Sequence, residues 1–465
     1  MPDRLSALDV SFLYLEEPTT PMHIGGVAIL EPAAGQEFDE ALLRELVAER
    51  IDRFPRYRQK IREVPGRLGN PVWVDDGAFD LAEHIRCCTL PEPGTPQQLR
   101  ELVGRLNAAP LDRQRPLWEL HLVRGLAGGR TAIVTKAHHA MVDGRSAMDV
   151  GALILDPRPV PQRRGVIAPW APEPEPEDAD LVADALREMT HRPAAAFDLT
   201  CAAARDVRAT WDRAKRTFDG VLSAVRATMR PAPASPLNAS IGARRRYGMA
   251  ATRLADVATI RARCGGTVND AVLATVAGGL RTWLLARDEP LTSASTVRAM
   301  VPVNVRPSGI PGEGGNQISS YFVDLAIGEP DPVARLHRVS QAMRGVKDSG
   351  QSAGTDAVVA LAGLAPPAVH AMAARFAQTM AHRVFNLAVT NVPGPQRPLY
   401  AAGARVRAVY PVAPLAKNQA VCIGVTSYDG GLFFGINADR DAMPDVDVLA
   451  RGLEDAQAEL LGACG

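Results

Sequence analysis

The sequence predicts an α/β protein of two domains joined by a linker, on three observations. The chain has 465 residues, whereas a single hydrophobic core stops growing at about 250–300 residues. Strand-like and helix-like apolar patterns alternate towards both ends of the chain. Between them, at about 156–240, the composition changes and opens with the Pro-rich, acidic run PWAPEPEPEDAD. The expected divisions are a first domain over 1–160, a linker over 161–240 and a second domain over 241–465.

In the first domain, residues 23–30 (HIGGVAIL) read as a strand. Residues 38–54 place Leu42, Leu43, Leu46, Val47, Ile51 and Phe54 at helical spacing until Pro55 stops them. A second short helix is expected over 99–106, then strands over 117–123 and 131–137 joined across Ala127, Gly128 and Gly129. The linker's Pro-rich run makes neither a sheet ladder nor a helix and is expected to be exposed. Residues 204–229 then set Val207, Trp211, Ala214, Phe218, Val221, Val225 and Met229 at steps of four and three, one apolar stripe of a helix. Its other face carries Arg205, Arg208, Arg213, Lys215, Arg216 and Arg226 against three aspartates. Such a helix either packs on the protein with its charges solvated or rests on an anionic membrane. In the second domain, helices are expected over 271–285, 332–343 and 357–380. Strands are expected there over 296–305, 318–327, 386–390, 404–411, 420–428 and 432–437.

Apolar residues make up 46% of the chain and charged residues 22%, the balance of a soluble globular protein. Lys plus Arg and Asp plus Glu both number 52, so no net field favours a phosphate backbone, and nucleic acid is not an expected partner. The first ten residues lack a basic stretch followed by an apolar run, and no long uninterrupted apolar segment follows. Neither the usual export signal nor a membrane span is expected. Cysteines stand at 87, 88, 201, 264, 422 and 464 without a C-x-x-C pair. They read as buried thiols in a reducing compartment, with no structural zinc site.

The chemistry concentrates in residues 136–146, KAHHAMVDGRS. Two histidines end a strand, where a side chain is exposed to a cleft yet held by the sheet. An imidazole with an unperturbed pKa of about 6.5 accepts a proton at cellular pH if one nitrogen is free. Adjacent strand positions face opposite ways, so one of the pair enters the cleft and the other packs behind it. His139 is the candidate base and His138 its support. Asp143 is expected to brace the loop, through an arginine or backbone N–H groups, with Gly144 allowing the tight turn. Two histidines and an aspartate also suit a metal site or a satisfied core cluster, though no H-E-x-x-H helix or third nearby ligand supports metal. G-x-S-x-G, the P-loop and G-x-G-x-x-G are absent, which removes the usual support for serine hydrolysis, nucleotide hydrolysis and hydride transfer.

The H-H-x-x-x-D-G pattern at 138–144 resembles the signature of the CoA-dependent acyltransferase superfamily, which includes chloramphenicol acetyltransferase and peptide-synthetase condensation domains. Further motifs follow in order: LSALDVSFLYLE with PMHIG, PLWE, SPLN, an Arg triplet at 244–246, Asn269-Asp270, VPVNVR, GNQIS and TNVPGP. The set resembles the bacterial wax ester synthase/diacylglycerol acyltransferase family nearly end to end. Asn304 and Thr390 stand where that family more usually shows Ser, and Ala7 where it shows Pro.

The resemblance implies two chloramphenicol-acetyltransferase-like α/β sandwich domains joined by a long, partly helical linker, with the His motif in a tunnel at their interface. It implies transfer of a fatty acyl group from acyl-CoA, as substrate rather than cofactor, to diacylglycerol or a long-chain alcohol. It also implies a cytoplasmic protein peripherally associated with the inner membrane or lipid droplets. His139 would act without an acyl-enzyme. Asn269, opening the helix expected from 271, is a candidate oxyanion donor, although Asn at that position also caps helices. Asp270 reads as a bracing carboxylate. Thr390 and Asn391 end a strand either as a plain turn or beside substrate. Trp118 and Trp283 line an acyl tunnel or belong to the core. Two rival readings stay open: an acyltransferase taking its acyl group from a carrier protein, and a non-catalytic lipid-binding protein of the same fold.

Overall fold

The computed structural model describes residues 2–32, 38–141, 149–160, 170–190, 231–304, 318–348 and 381–465. Its framework is a pair of six-stranded sheets. The first uses β1 (His23–Glu31), β4 (Ile85–Thr89), β5 (Trp118–Leu126), β6 (Arg130–His138), β11 (Tyr400–Ala401) and β12 (Ala404–Val412), in the order β11-β12-β1-β6-β5-β4. The second uses β7 (Arg245–Arg253), β8 (Val297–Asn304), β9 (Ile318–Leu325), β10 (Leu387–Pro393), β13 (Val421–Tyr428) and β14 (Gly431–Asp439), in the order β7-β14-β13-β10-β8-β9. A separate hairpin pairs β2 (Gln59–Arg62) with β3 (Val72–Asp75).

Alternation along the strands of the first sheet divides two packed layers. Ala28, Leu30, Leu120, Leu122 and Ile133 join the cluster beneath α1 (Ala7–Leu15), α2 (Glu40–Ala48) and α5 (Asp149–Ile154), with the short α3 (Leu81–His84) packed against it. Val27, Ile29, Val123, Ala132 and Val134 join a second cluster with Leu99 and Val103 of α4 (Pro96–Ala108) and Tyr247 of β7. Helix α4 starts on a capping box, Thr95 with Gln98, and has Pro96 at its first turn. Helix α2 ends at Ala48, short of the span expected to reach Phe54, because the chain tightens into 3-10 turns at Ile51–Arg53 and Pro55–Arg58 that still bury Ile51.

The second sheet packs on α8 (Val268–Leu285), α9 (Pro332–Asp348) and α10 (Val446–Ala463), with α7 (Leu254–Cys264) alongside. Val446, Leu449, Leu453 and Leu460 form the buried stripe of α10, a helix the sequence reading passed over, as it did β7 and α7. Among the expected elements, the helix over 357–380 and the basic helix over 204–229 lie outside the described residues.

The C-terminal half of the chain is not confined to the second sheet. Strand β12 runs antiparallel to β1, from Gly25 opposite Val412 to Glu31 opposite Arg405. It also crosses over β13 and β14. The crossing is close: a Cβ on Gly435 would fall 1.8 Å from the Pro411 carbonyl oxygen, which accepts a hydrogen bond from Tyr247 Oη at 2.8 Å.

Two expectations are corrected. The acidic run is exposed, as expected, but it does not stay free of helix: its end enters α6 (Asp178–Thr190), and two of its carboxylates, Glu175 and Asp178, face the β2–β3 hairpin. Glu175 pairs with Lys60 at 3.0 Å and Asp178 with Arg62 at 2.7 Å, while further along α6 Glu188 pairs with Arg4 near the N-terminus at 2.6 Å. Opposite charge and the buried Leu181 and Ala185 hold the segment down. Nor are the cysteines uniformly buried thiols. Cys422 is buried but Cys87 is exposed and Cys88 half-buried, and Cys201 lies outside the described residues. Cys264 and Cys464, 200 residues apart, form a disulfide with Cα atoms 5.9 Å apart. Packing of α7 against α10 brings them together, which no local spacing announces.

Candidate active site

Strand β6 ends at His138, and a 3-10 turn, His139–Met141, follows at once. The turn is held from three sides. His138 N–H donates to Leu117 O at 2.9 Å and His139 N–H to Met22 O at 2.8 Å, while Ala140 N–H donates to His138 Nδ1 at 3.0 Å. The His139 ring lies parallel to Phe12 of α1, with centroids 3.7 Å apart and planes 17° apart. His139 Nδ1 is buried with no hydrogen-bond partner among the described residues. Burial is the main influence on this ring and pushes its pKa down to about 4; its own backbone carbonyl opposes the shift and His138 adds to it. His139 is therefore a neutral imidazole at physiological pH.

His138 is 1% exposed. Because Nδ1 accepts from Ala140, the ring proton stands on Nε2, which faces Glu16 Oε1 at 3.6 Å. That separation is too long for a hydrogen bond and makes the attraction electrostatic. Glu16 follows the last residue of α1 and is gripped through Oε2 by Arg113, at 3.0 Å from Nε and 2.6 Å from Nη2. Burial alone would raise the Glu16 pKa, but His138 and Arg113 outweigh it and hold it at about 2. Buried His23, 3.7 Å from the same carboxylate, is pushed down to about 3, chiefly by burial and then by Lys136.

Lys136 belongs to a second buried group. Glu119 lies 3.0 Å from His121 Nε2 and 3.5 Å from Lys136 Nζ, and these partners overcome burial to hold its pKa at about 2. Lys136 also donates to Ala109 O at 2.6 Å, capping the carbonyl end of α4. These polar contacts brace the strands that carry the histidines. Among the described residues no group of three or more His, Cys, Asp or Glu is placed to hold a metal ion.

On the other sheet, Asn269 occupies the first turn of α8, but the cap is Thr267, in a capping box with Asp270. Asp270 is buried and also accepts from Ser340 Oγ at 3.2 Å, a bracing carboxylate. Asn269 Oδ1 instead accepts from Asn391 Nδ2 at 3.3 Å. Asn391 and Thr390 sit where the second sheet splits. Strand β10 pairs with β8 only at Leu387 and Ala388, then continues along β13 alone to Pro393. The N-terminus of α8 thus meets one lip of an opening in the sheet. Asp143 and Gly144 lie outside the described residues. Trp118 is core: 1% exposed, it stacks on His84 at 4.5 Å and donates from Nε1 to Tyr57 O at 2.7 Å. Trp283 is likewise fully buried and bonded to Asp445.

Phe12, Glu16 and Arg113 were not singled out from the sequence as site residues. The available signal was the spacing of Phe12 and Glu16, four apart and so on one side of the helix that ends there.

The paired sheets are those of the condensation-domain fold: the starter condensation domain of rhizomide synthetase superposes with a TM-score of 0.54 at 12% identity, covering 99% of this chain and 94% of that one. A wax ester synthase/diacylglycerol acyltransferase from Marinobacter aquaeolei VT8 superposes better, with a TM-score of 0.70 at 28% identity over 99% of both chains. Residues 5–272 match the wax ester synthase/diacylglycerol acyltransferase catalytic domain and residues 314–461 the WS/DGAT C-terminal domain. The chain belongs to this wax ester synthase/diacylglycerol acyltransferase family. A probable diacylglycerol O-acyltransferase of Mycobacterium tuberculosis is 34% identical over 99% of this chain and 96% of its own length. Another from that organism is 42% identical over 57% of this chain and 97% of its own.

Proposed function

We propose that this protein transfers a long-chain fatty acyl group from acyl-CoA to the hydroxyl of diacylglycerol or a long-chain alcohol, giving triacylglycerol or wax ester. The observation that carries the reading is His139: neutral, half-buried, stacked on Phe12 and fixed at a strand end, in a chain of this family. Nδ1, beside its own carbonyl, keeps its proton, and Nε2 accepts the proton of the attacking hydroxyl. The oxygen attacks the thioester carbonyl, the C–S bond breaks, and the imidazolium returns its proton to the CoA sulfur. Burial that disfavours the cation makes this imidazolium a strong acid for that last step. No acyl-enzyme and no cofactor is required.

The tetrahedral intermediate carries an oxyanion, for which Asn269 is the donor in this reading. Its amide N–H group makes no hydrogen bond to a described residue, and it lies at the positive end of an 18-residue helix. Asn391 holds that amide, and Thr390 adds a hydroxyl at the same lip. Asp143 and Gly144 keep the role of bracing the loop after His139. No helix among the described residues is long and apolar enough to cross a membrane. Diacylglycerol has negligible free concentration in water, so the enzyme engages lipid surfaces peripherally, and the basic residues over 204–229, outside the described residues, are the candidate contact that the sequence offers.

One experiment tests the reading. Purified protein with radiolabelled palmitoyl-CoA is offered diolein in anionic liposomes and, separately, detergent-dispersed hexadecanol. Labelled triacylglycerol or wax ester is expected, with the liposome reaction alone weakening as salt rises, because headgroup attraction is screened. Absence of both products overturns the reaction, and a salt-insensitive liposome reaction overturns the electrostatic surface contact.

A further inference from the structure

The turn that presents His139 is held by two side-to-backbone arrangements, and both lead to one carboxylate. Glu16 Oε1 accepts from the backbone N–H of Met22 at 3.2 Å, and the carbonyl of Met22 accepts the backbone N–H of His139 at 2.8 Å. The same oxygen faces His138 Nε2 at 3.6 Å, and the opposite nitrogen of that ring receives the N–H of Ala140 at 3.0 Å. Glu16 Oε2 is taken up by Arg113, whose Nη2 also donates to Leu13 O at 3.0 Å. Arg113 thereby ties the carboxylate to the end of the helix whose Phe12 stacks on His139. Glu16 is 12% and His138 1% exposed at the side chain, so the contact is shielded from water and its charge weakly screened.

We infer that Glu16, clamped by Arg113, is a positioning residue for acyl transfer: it fixes His138 in the Nε2–H tautomer and, through Met22 and Ala140, sets the backbone of the turn bearing His139. The negative charge opposite Nε2 favours a proton there, which leaves Nδ1 free to accept from Ala140. The other tautomer would put Nδ1–H against the Ala140 N–H and expel the turn from its place. A carboxylate is required because Oε1 and Oε2 both only accept, from Met22 and Arg113 respectively. An amide would turn an NH₂ towards one of these donors.

The inference rests on His139 being the base, and the test separates the two. Glu16→Gln, Arg113→Gln and His139→Ala are compared with wild type for kcat, KM for acyl-CoA and melting temperature, with the His138 tautomer read from long-range ¹H–¹⁵N correlations. Glu16→Gln is expected to lower kcat by about 10²-fold, the cost of misplacing a reacting group by about 1 Å. Its KM and melting temperature should stay near wild type, and its His138 spectrum should lose the pure Nε2–H signature. Arg113→Gln should lower kcat less and shift the spectrum in the same direction. A wild-type kcat or an unchanged Nε2–H signature in Glu16→Gln overturns the inference. If that variant does not fold, an unchanged kcat or spectrum in Arg113→Gln does so. A fully active His139→Ala would instead overturn the assignment of the base and leave the tautomer measurement standing on its own.

Discussion

A residue that takes a proton from an alcohol must be neutral when the alcohol arrives. His139 meets this condition through its surroundings, since burial pushes its pKa from 6.5 to about 4. In the proposed mechanism the protonated form is inactive, and it accumulates only as pH falls through the folded-state value. The acid limb of kcat/KM should therefore lie near pH 4, not near 6.5, and a stopped-assay pH profile checks this; a midpoint near 6.5 would show an ordinary, solvated imidazole. His139→Ala should lower turnover by about 10²- to 10⁴-fold at unchanged melting temperature. At this scale the placing of the two histidines at the end of a strand was legible, but their separation was not a matter of strand alternation: His138 closes β6 and His139 opens a 3-10 turn. Glu16 and Arg113 were not legible, because what they do depends on contacts between residues 97 apart in the chain.

Helix α8 shows how local rules act within one element. Its Thr267–Asp270 box satisfies the first N–H groups, which frees Asn269 from the capping role its position suggested. The two residues should separate on substitution. Thr267→Ala is expected to cost about 1 kcal/mol of stability with little change in rate. Asn269→Ala should lower turnover by about 10²- to 10³-fold with little change in stability. Thermal melts beside steady-state kinetics decide the point, and a loss of stability alone in Asn269→Ala would return it to a structural part. Elements with strong apolar periodicity, such as α4, β5, β6 and α8, were legible from sequence. The end of α2 was not, since 3-10 turns bury Ile51 much as another helical turn would. The disulfide and the seating of the acidic segment on Lys60 and Arg62 depend on tertiary docking and leave no periodic trace.

At the scale of the molecule, the two sheets are joined by strand β12, which belongs to one and crosses the other. The junction relies on the absence of a side chain at Gly435, where a Cβ would meet the Pro411 carbonyl at 1.8 Å. Gly435→Ala should force the backbones apart and destabilise the fold by about 1–3 kcal/mol, lowering the melting temperature; an unchanged melt would show that the crossing adapts freely. The two-domain α/β architecture was legible in the sequence, but the exchange of a strand between halves was not, because 404–411 reads as a strand whichever sheet receives it. Arg407 of β12 pairs with Glu31 of β1 across 376 residues of chain. During synthesis the edge of β1 that faces β12 must therefore wait, unpaired, until nearly the whole polypeptide has left the ribosome. An open edge of that kind recruits other chains, so the nascent protein is most prone to aggregate after its first half is made, and a chaperone that shields β1 would help most in that interval.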